Sequence, residues 1–225
     1  KTRPGAPAGF FEAEAAGLRW LADARPLPLG AALTPTQQER VGDYLRFRAA
    51  LPPTGPGASL EDLFRMAAFN LGRHLGDGAE EAVGARLGDP GRFSAFLKPC
   101  PVDGRLHPWE WLVLPDGHLL KADALDHHAA HDLVGSQDIA WDIAGAAVEF
   151  GLGGGERRRL AGHVAGGSGL PATEDLLDTM TLCYLGFQIG LWTFALGRAS
   201  SVDREPVEAR LRFYASHKSL AGLLL

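Results

Sequence analysis

The feature that most restricts this chain is a run of 19 residues, Thr179 to Gly197, with no charged side chain. A segment of that length and character either crosses a bilayer or lies inside a protein. Thr179, Thr181, Gln188 and three glycines interrupt its apolar surface, and such polar groups need partners that lipid does not supply. The run therefore reads as a helix buried in a protein core and capped at Thr173. The remaining elements have to cover it, and no membrane partner is expected.

Those elements are mostly helical. Phe11, Ala15, Leu18 and Leu21 recur at three- and four-residue spacing, which predicts a helix from about Pro7 to Ala24, ended by ARPLPLG. A second starts at Thr34, with Pro35 in the first helical position and Gln37 three residues after the cap. It turns Val41, Tyr44 and Leu45 inward and stops before LPPTGPG. Residues 51–57 can neither continue a helix nor pair in a sheet, so they mark a lobe boundary. Ser59 caps a third helix with the apolar stripe Leu60, Leu63, Phe64, Ala67, Leu71 and Leu75. A weaker one spans Glu80 to Leu87. From Asp138 the apolar spacing is helical again, through Ile139, Ile143, Ala146, Ala147 and Phe150. GLGGG closes that helix, the glycines around 151–169 read as a short low-complexity segment, and a last amphipathic helix follows Pro206. One stretch breaks the pattern. KPCPVDGRLHPWEW has the Pro and Gly density of an ordered loop, and WLVL, PDG and HLLKA then form a tight hairpin over about residues 110–122. The fold class is α+β, mainly helical.

Charge narrows the function. A formal net charge of -5 and a pI near 5.9 offer no basic field for a nucleic-acid backbone. Cys100 and Cys183 are the only cysteines and lie far apart, which suggests neither a disulfide scaffold nor a cysteine zinc site and fits a reducing cytoplasm. The chain opens at Lys1 with no initiator Met and no signal segment, and the expectation is that further sequence precedes it.

The hairpin carries the most specific chemistry. Glu110 enters its first strand and Asp123 leaves its second, and antiparallel strands bring those ends together. Two such carboxylates suit Mg2+, which prefers hard oxygen ligands; acidic residues at hairpin ends also occur as plain solvated surface. A second cluster, DALDHHAAHD, places His127, His128 and His131 beside Asp126 and Asp132, a ligand set of the kind found in metal-dependent phosphohydrolases. His74, His163 and His217 sit in no matching motif.

The segment GRLHPWEWLVLPDGHLLKAD resembles the catalytic loop and metal-binding strand of the aminoglycoside phosphotransferase and fructosamine kinase group, within the protein-kinase-like superfamily. Leu106, His107 and Pro108 fall in register with that family's loop. The resemblance implies Glu110 in place of its metal-binding Asn, Asp123 as second metal ligand, and Asp142, in DIAWDIAG, as structural anchor of the loop. The opening KTRPGAPAGFFEAEAAGLRWL is similar to the family's Lys-bearing strand and following helix, implying Lys1 as phosphate-binding lysine with Glu12 or Glu14 as its partner. Arg105 stands where the catalytic Asp belongs, and an Arg stays protonated and cannot act as a general base. Asp103 is its replacement if the loop runs differently. The resemblance implies residues 1–50 as the remnant of an N-terminal lobe with a connecting helix, and 58–225 as a kinase-like C-terminal lobe. It also implies ATP and Mg2+ as cofactors and a small-molecule hydroxyl as phosphate acceptor. Two alternatives stand beside it: a pseudokinase or interaction module lacking the catalytic Asp, and the His-cluster phosphohydrolase.

Overall fold

The structure is a computed structural model and describes residues 23–122, 134–166 and 173–223. The helix expected over Pro7 to Ala24 falls almost wholly outside them, as do Lys1, Glu12, Glu14, Asp123 and the histidine cluster.

Helix α1 (Pro35–Ala49) begins where the sequence places it. Thr34 Oγ1 accepts the Gln37 N–H, and the Gln37 side chain accepts the Thr34 N–H in return, so two of the orphan donors of the first turn are satisfied. Arg46 and Arg48 in its last turn complement the helix dipole. Helix α2 (Leu60–Leu75) starts at the Ser59 cap, carries Glu61 and Asp62 in its first turn, and buries Leu60, Leu63, Phe64, Ala67 and Leu71. Helix α3 (Ala79–Leu87) buries Ala79, Val83 and Leu87, one residue per turn on one face.

Two small antiparallel sheets follow. Strand β2 (Pro99–Cys100) pairs with β5 (Gln137–Asp138). The expected hairpin is β3 (Trp111–Val113) and β4 (Leu119–Lys121), in the register Trp111↔Lys121. Strand β1 (Arg25–Pro26) adds to the outer side of β3. The sequence reading treated ARPLPLG only as a helix terminator. As the sheet's edge, however, β1 tolerates Pro26, whose missing N–H is not needed there.

Helix α4 (Ala140–Glu149) is buried throughout, and helix α5 (Gly154–Ala165) is a correction to the sequence reading. The sequence reading gives the glycines around 151–169 only as a short low-complexity segment, with no helix there. They form a helix because Gly154 and Gly155 fall in the first turn, where Glu156 accepts the Gly153 N–H at 2.8 Å, and Gly162 is the one glycine beyond it. RRLAGHVA then supplies Leu160, Ala161 and Val164 to the core. The long uncharged run lies within helix α6 (Glu174–Arg198), capped by Thr173 Oγ1 on the Leu176 N–H. By length and composition α6 passes for a membrane span, yet it is covered by protein up to Ile189. Beyond that residue it emerges, with Phe194 61% exposed, so burial is less complete than the sequence reading expected. Helix α7 (Arg204–Ala215) packs against it, with Pro206 in its first turn.

Glycines in α6 set one contact. A methyl group at Gly186 would lie 2.7 Å from Ala67 Cα, so the α2 and α6 backbones meet at a spacing only glycine allows. Asn70 Nδ2 donates to the Gly186 carbonyl across the same contact, at 3.1 Å. Residues 51–57 end on a close approach of their own: Ala58 N–H donates to the Val134 carbonyl at 3.0 Å, and Gly57 bridges to Gly135. Val41 and Leu45 of α1 belong to the same apolar core as α2, α4 and α6.

Candidate active site

The loop between β2 and β3 is held from below by α4. Asp142, fully buried in the first turn of that helix, accepts the backbone N–H of Asp103 at 2.7 Å and of Gly104 at 2.9 Å. Trp141 Nε1 donates to the Gly104 carbonyl at 3.3 Å, and Arg48 Nη2 donates to the Val102 carbonyl at 2.8 Å. Gly104 takes φ +81°, a left-handed conformation that suits glycine at this turn. The anchoring role that the resemblance implies for Asp142 thus acts on Asp103 and Gly104, where the chain turns. Asp138 accepts the Ala140 N–H at the start of α4, at 2.9 Å, which leaves Asp142 to the loop. Burial, and then the nearby Asp103 carboxylate, raise the pKa of Asp142 above the usual carboxylate range.

Past the turn, the loop's polar side chains point at one another. Asp103 is wholly buried. Its carboxylate accepts from the Tyr44 hydroxyl at 2.5 Å and lies 3.3 Å from Lys121 Nζ, and it accepts the Arg105 N–H at 3.3 Å. Lys121 reaches Asp103 from β4 and also donates to Glu110 Oε2 and to the Ala122 carbonyl, each at 2.9 Å. Among the described residues three acceptors thus surround an ammonium with three N–H bonds. His107 Nδ1 is 3.4 Å from Glu110 Oε1, and His107 Nε2 is 3.2 Å from Gln188 Oε1 on α6. The imidazole stacks on Trp109 with centroids 4.4 Å apart, and the Arg210 guanidinium lies over both Trp109 and Trp192. Deeper still, Glu149 accepts from the Tyr184 and Tyr214 hydroxyls at 2.7 and 2.9 Å. Burial raises its pKa, although His107 and the two tyrosines favour the charged form.

The structure therefore brings together Asp103, Arg105, His107, Glu110 and Asp142 on or under one loop. Sequence reasoning missed Lys121, Tyr44, Gln188 and Arg210. Lys121 was findable: in HLLKA, period-two alternation puts it on the same sheet face as the buried Leu119, and the hairpin register sets it opposite Trp111 beside Glu110. Of the two tryptophans flanking Glu110, Trp111 packs in the core against Tyr44 and Phe150, whereas Trp109 is partly exposed beside His107.

Chemically, the loop offers no exposed base among the described residues. Arg105 is a permanent cation, and Asp103 is sealed beneath Tyr44 and Lys121. Glu110 is the more accessible carboxylate, its side chain 13% exposed. Both of its oxygens nevertheless face protein groups, Oε1 toward His107 and Oε2 toward Lys121. A divalent metal does not fit this donor set without displacing the Lys121 ammonium. A cavity of about 710 Å³ bordered by Phe96, Cys100, Ile143 and Leu176 contains none of these loop side chains.

No family model and no curated protein matches the sequence. Solved structures do resemble the fold. The choline kinase LicA from Streptococcus pneumoniae matches with a TM-score of 0.56 at 14% identity, covering 92% of this chain and 80% of that one. LicA in complex with AMP matches at 0.59, also at 14% identity, covering 94% and 79%. A Plasmodium vivax ethanolamine kinase matches at 0.51 and 11% identity, covering 89% of this chain and 64% of that one. These likenesses show the expected fold, mainly helical and like that of the choline and ethanolamine kinases.

Proposed function

We propose that this chain keeps the ligand-binding role of a small-molecule kinase, for a nucleotide and a hydroxyl-bearing small molecule, and has lost most phosphoryl transfer through its catalytic loop. One observation carries the reading. Asp142 clamps the Asp103–Gly104 turn with the Asp103 side chain wholly buried, and Arg105 follows where the resemblance implies the catalytic Asp. Nucleotide binding is supported by the likeness to a kinase solved with AMP, and a small-molecule ligand by the choline and ethanolamine kinases. The buried thiols Cys100, whose pKa burial pushes up to about 12, and Cys183 suit a reducing cytoplasm.

A second reading, an active ATP-dependent phosphotransferase, is favoured by the chemistry of the reaction itself. Phosphoryl transfer depends mainly on positioning and charge stabilisation, so a loop without its Asp retains part of the catalytic means. The narrower resemblance to aminoglycoside phosphotransferases and fructosamine kinases belongs to this reading, with Mg2+ held at Glu110 and Asp123.

The test is transfer of labelled γ-phosphate from ATP by the intact protein to a panel of hydroxyl compounds that includes choline, ethanolamine, a fructosamine and an aminoglycoside. The expected result is transfer at least about 10³-fold below the 1–100 s⁻¹ typical of kinases. Turnover within that range on any acceptor overturns the first reading in favour of the second.

A further inference from the structure

The place between the Asp103 and Glu110 carboxylates already contains a cation. Lys121 Nζ lies 3.3 Å from Asp103 Oδ2 and 2.9 Å from Glu110 Oε2, with only 3% of the side chain exposed. It also donates to the Ala122 carbonyl at 2.9 Å. Mg2+ would need the same oxygens, and it binds through one or two carboxylates while retaining several waters. To enter, it would have to expel an ammonium that is desolvated and fully hydrogen-bonded. That would leave the lysine charge buried without acceptors. The strand makes such a move harder still. Lys121 is the last residue of β4, paired with Trp111, whose indole is core, so the root of its side chain is held by the hairpin.

We propose that the Lys121 ammonium is the resident cation of this loop, in the place a divalent metal would take, so that a phosphate-bearing ligand is met with no divalent ion at Glu110. The ligand class rests on the function proposed above, but the claim about the cation does not. Replacement of metal by lysine also accounts for glutamate at position 110. A carboxamide there would offer Lys121 a neutral acceptor, whereas a carboxylate gives it a charge-assisted bond.

Two measurements on the intact protein separate the inference from the functional reading. The first is Mn2+ binding, followed by loss of the free-ion electron paramagnetic resonance signal, in the wild type, Glu110→Gln and Lys121→Met. The wild type and Glu110→Gln are expected to titrate alike, within about twofold. Lys121→Met, by freeing two carboxylates, is expected to gain a Mn2+ site. A wild-type Mn2+ site that Glu110→Gln abolishes overturns the proposal, even if Lys121→Met fails to fold. The second measurement is ADP affinity by calorimetry with excess Mg2+ and with excess chelator. A change within about twofold supports the proposal, and a loss beyond about tenfold, or 1.4 kcal/mol, with chelator overturns it. Failure to bind ADP under both conditions counts against the functional reading, and the Mn2+ comparison then decides the inference by itself.

Discussion

Replacing Asp142 by alanine removes the acceptor for two buried backbone N–H groups, those of Asp103 and Gly104, bonded at 2.7 and 2.9 Å. Each buried donor left without a partner costs about 1–3 kcal/mol, which gives roughly 2–6 kcal/mol before compensation. Two effects lower the figure. The carboxylate is itself unfavourably desolvated, as its raised pKa shows, and alanine is relieved of that penalty. Trp141 Nε1 also continues to hold the Gly104 carbonyl, so the turn keeps part of its tether. The expected loss is therefore about 2–4 kcal/mol, read from urea unfolding midpoints at pH 7.5 with an unchanged slope. Asp142→Asn keeps one acceptor oxygen but turns an NH2 toward the second donor, so it should fall between wild type and alanine. Amide exchange at Asp103 and Gly104 should accelerate in both variants before global unfolding does. Asp77→Ala, on an exposed loop, serves as control and should shift stability by no more than about 0.5 kcal/mol. An Asp142→Ala midpoint equal to that of the control, with unaltered exchange at residues 103 and 104, would refute the claim that α4 holds the loop.

Other consequences are more local. Glu149 has a raised pKa in the folded state, so between its ordinary value of 4.5 and the folded value the native protein binds more protons than the unfolded chain. Its contribution to stability therefore falls as pH rises through that interval. Glu149→Gln should flatten the slope of urea midpoint against pH above about 4.5, and an unchanged slope would place the pH dependence elsewhere. Gly186→Ala must push apart the α2 and α6 backbones and should cost about 1–3 kcal/mol, as overpacking does. Gly197→Ala, on an exposed stretch of the same helix with nothing within 4 Å of the added methyl, should instead stabilise by up to about 1 kcal/mol. Thermal melts of the pair decide the point, and equal shifts would contradict the close approach of the two helices.

Much of this architecture is visible in residue order because the signals are local. The Thr34 and Ser59 caps, the Pro-Asp-Gly turn and the apolar stripe from Leu60 to Leu71 each depend on neighbours within four positions. What stayed hidden depends on other kinds of information. Helix α5 was masked by the glycines at 154 and 155 in its first turn and at 162 further on. β1 is two residues long and exists because β3 offers it an edge. That Asp142 acts on the Asp103 and Gly104 N–H groups was not visible either, since a register borrowed from resemblance does not reveal that the chain turns at Gly104. Lys121 was hidden by its type. A lysine in a strand is ordinarily solvated, and only the hairpin register places it between two carboxylates. Tyr44 and Gln188, from 59 and 81 residues away in the chain, reach the loop through tertiary packing that no short-range pattern encodes.

The most direct test of the account measures ATP binding and γ-phosphate turnover in one sample of the intact protein, in the wild type and in Arg105→Ala. The account predicts saturable ATP binding by the wild type, weakened in the variant as a cation near the phosphates is lost, with turnover at least about 10³-fold under the usual 1–100 s⁻¹ in both. Wild-type turnover inside that range, abolished in Arg105→Ala, would contradict it.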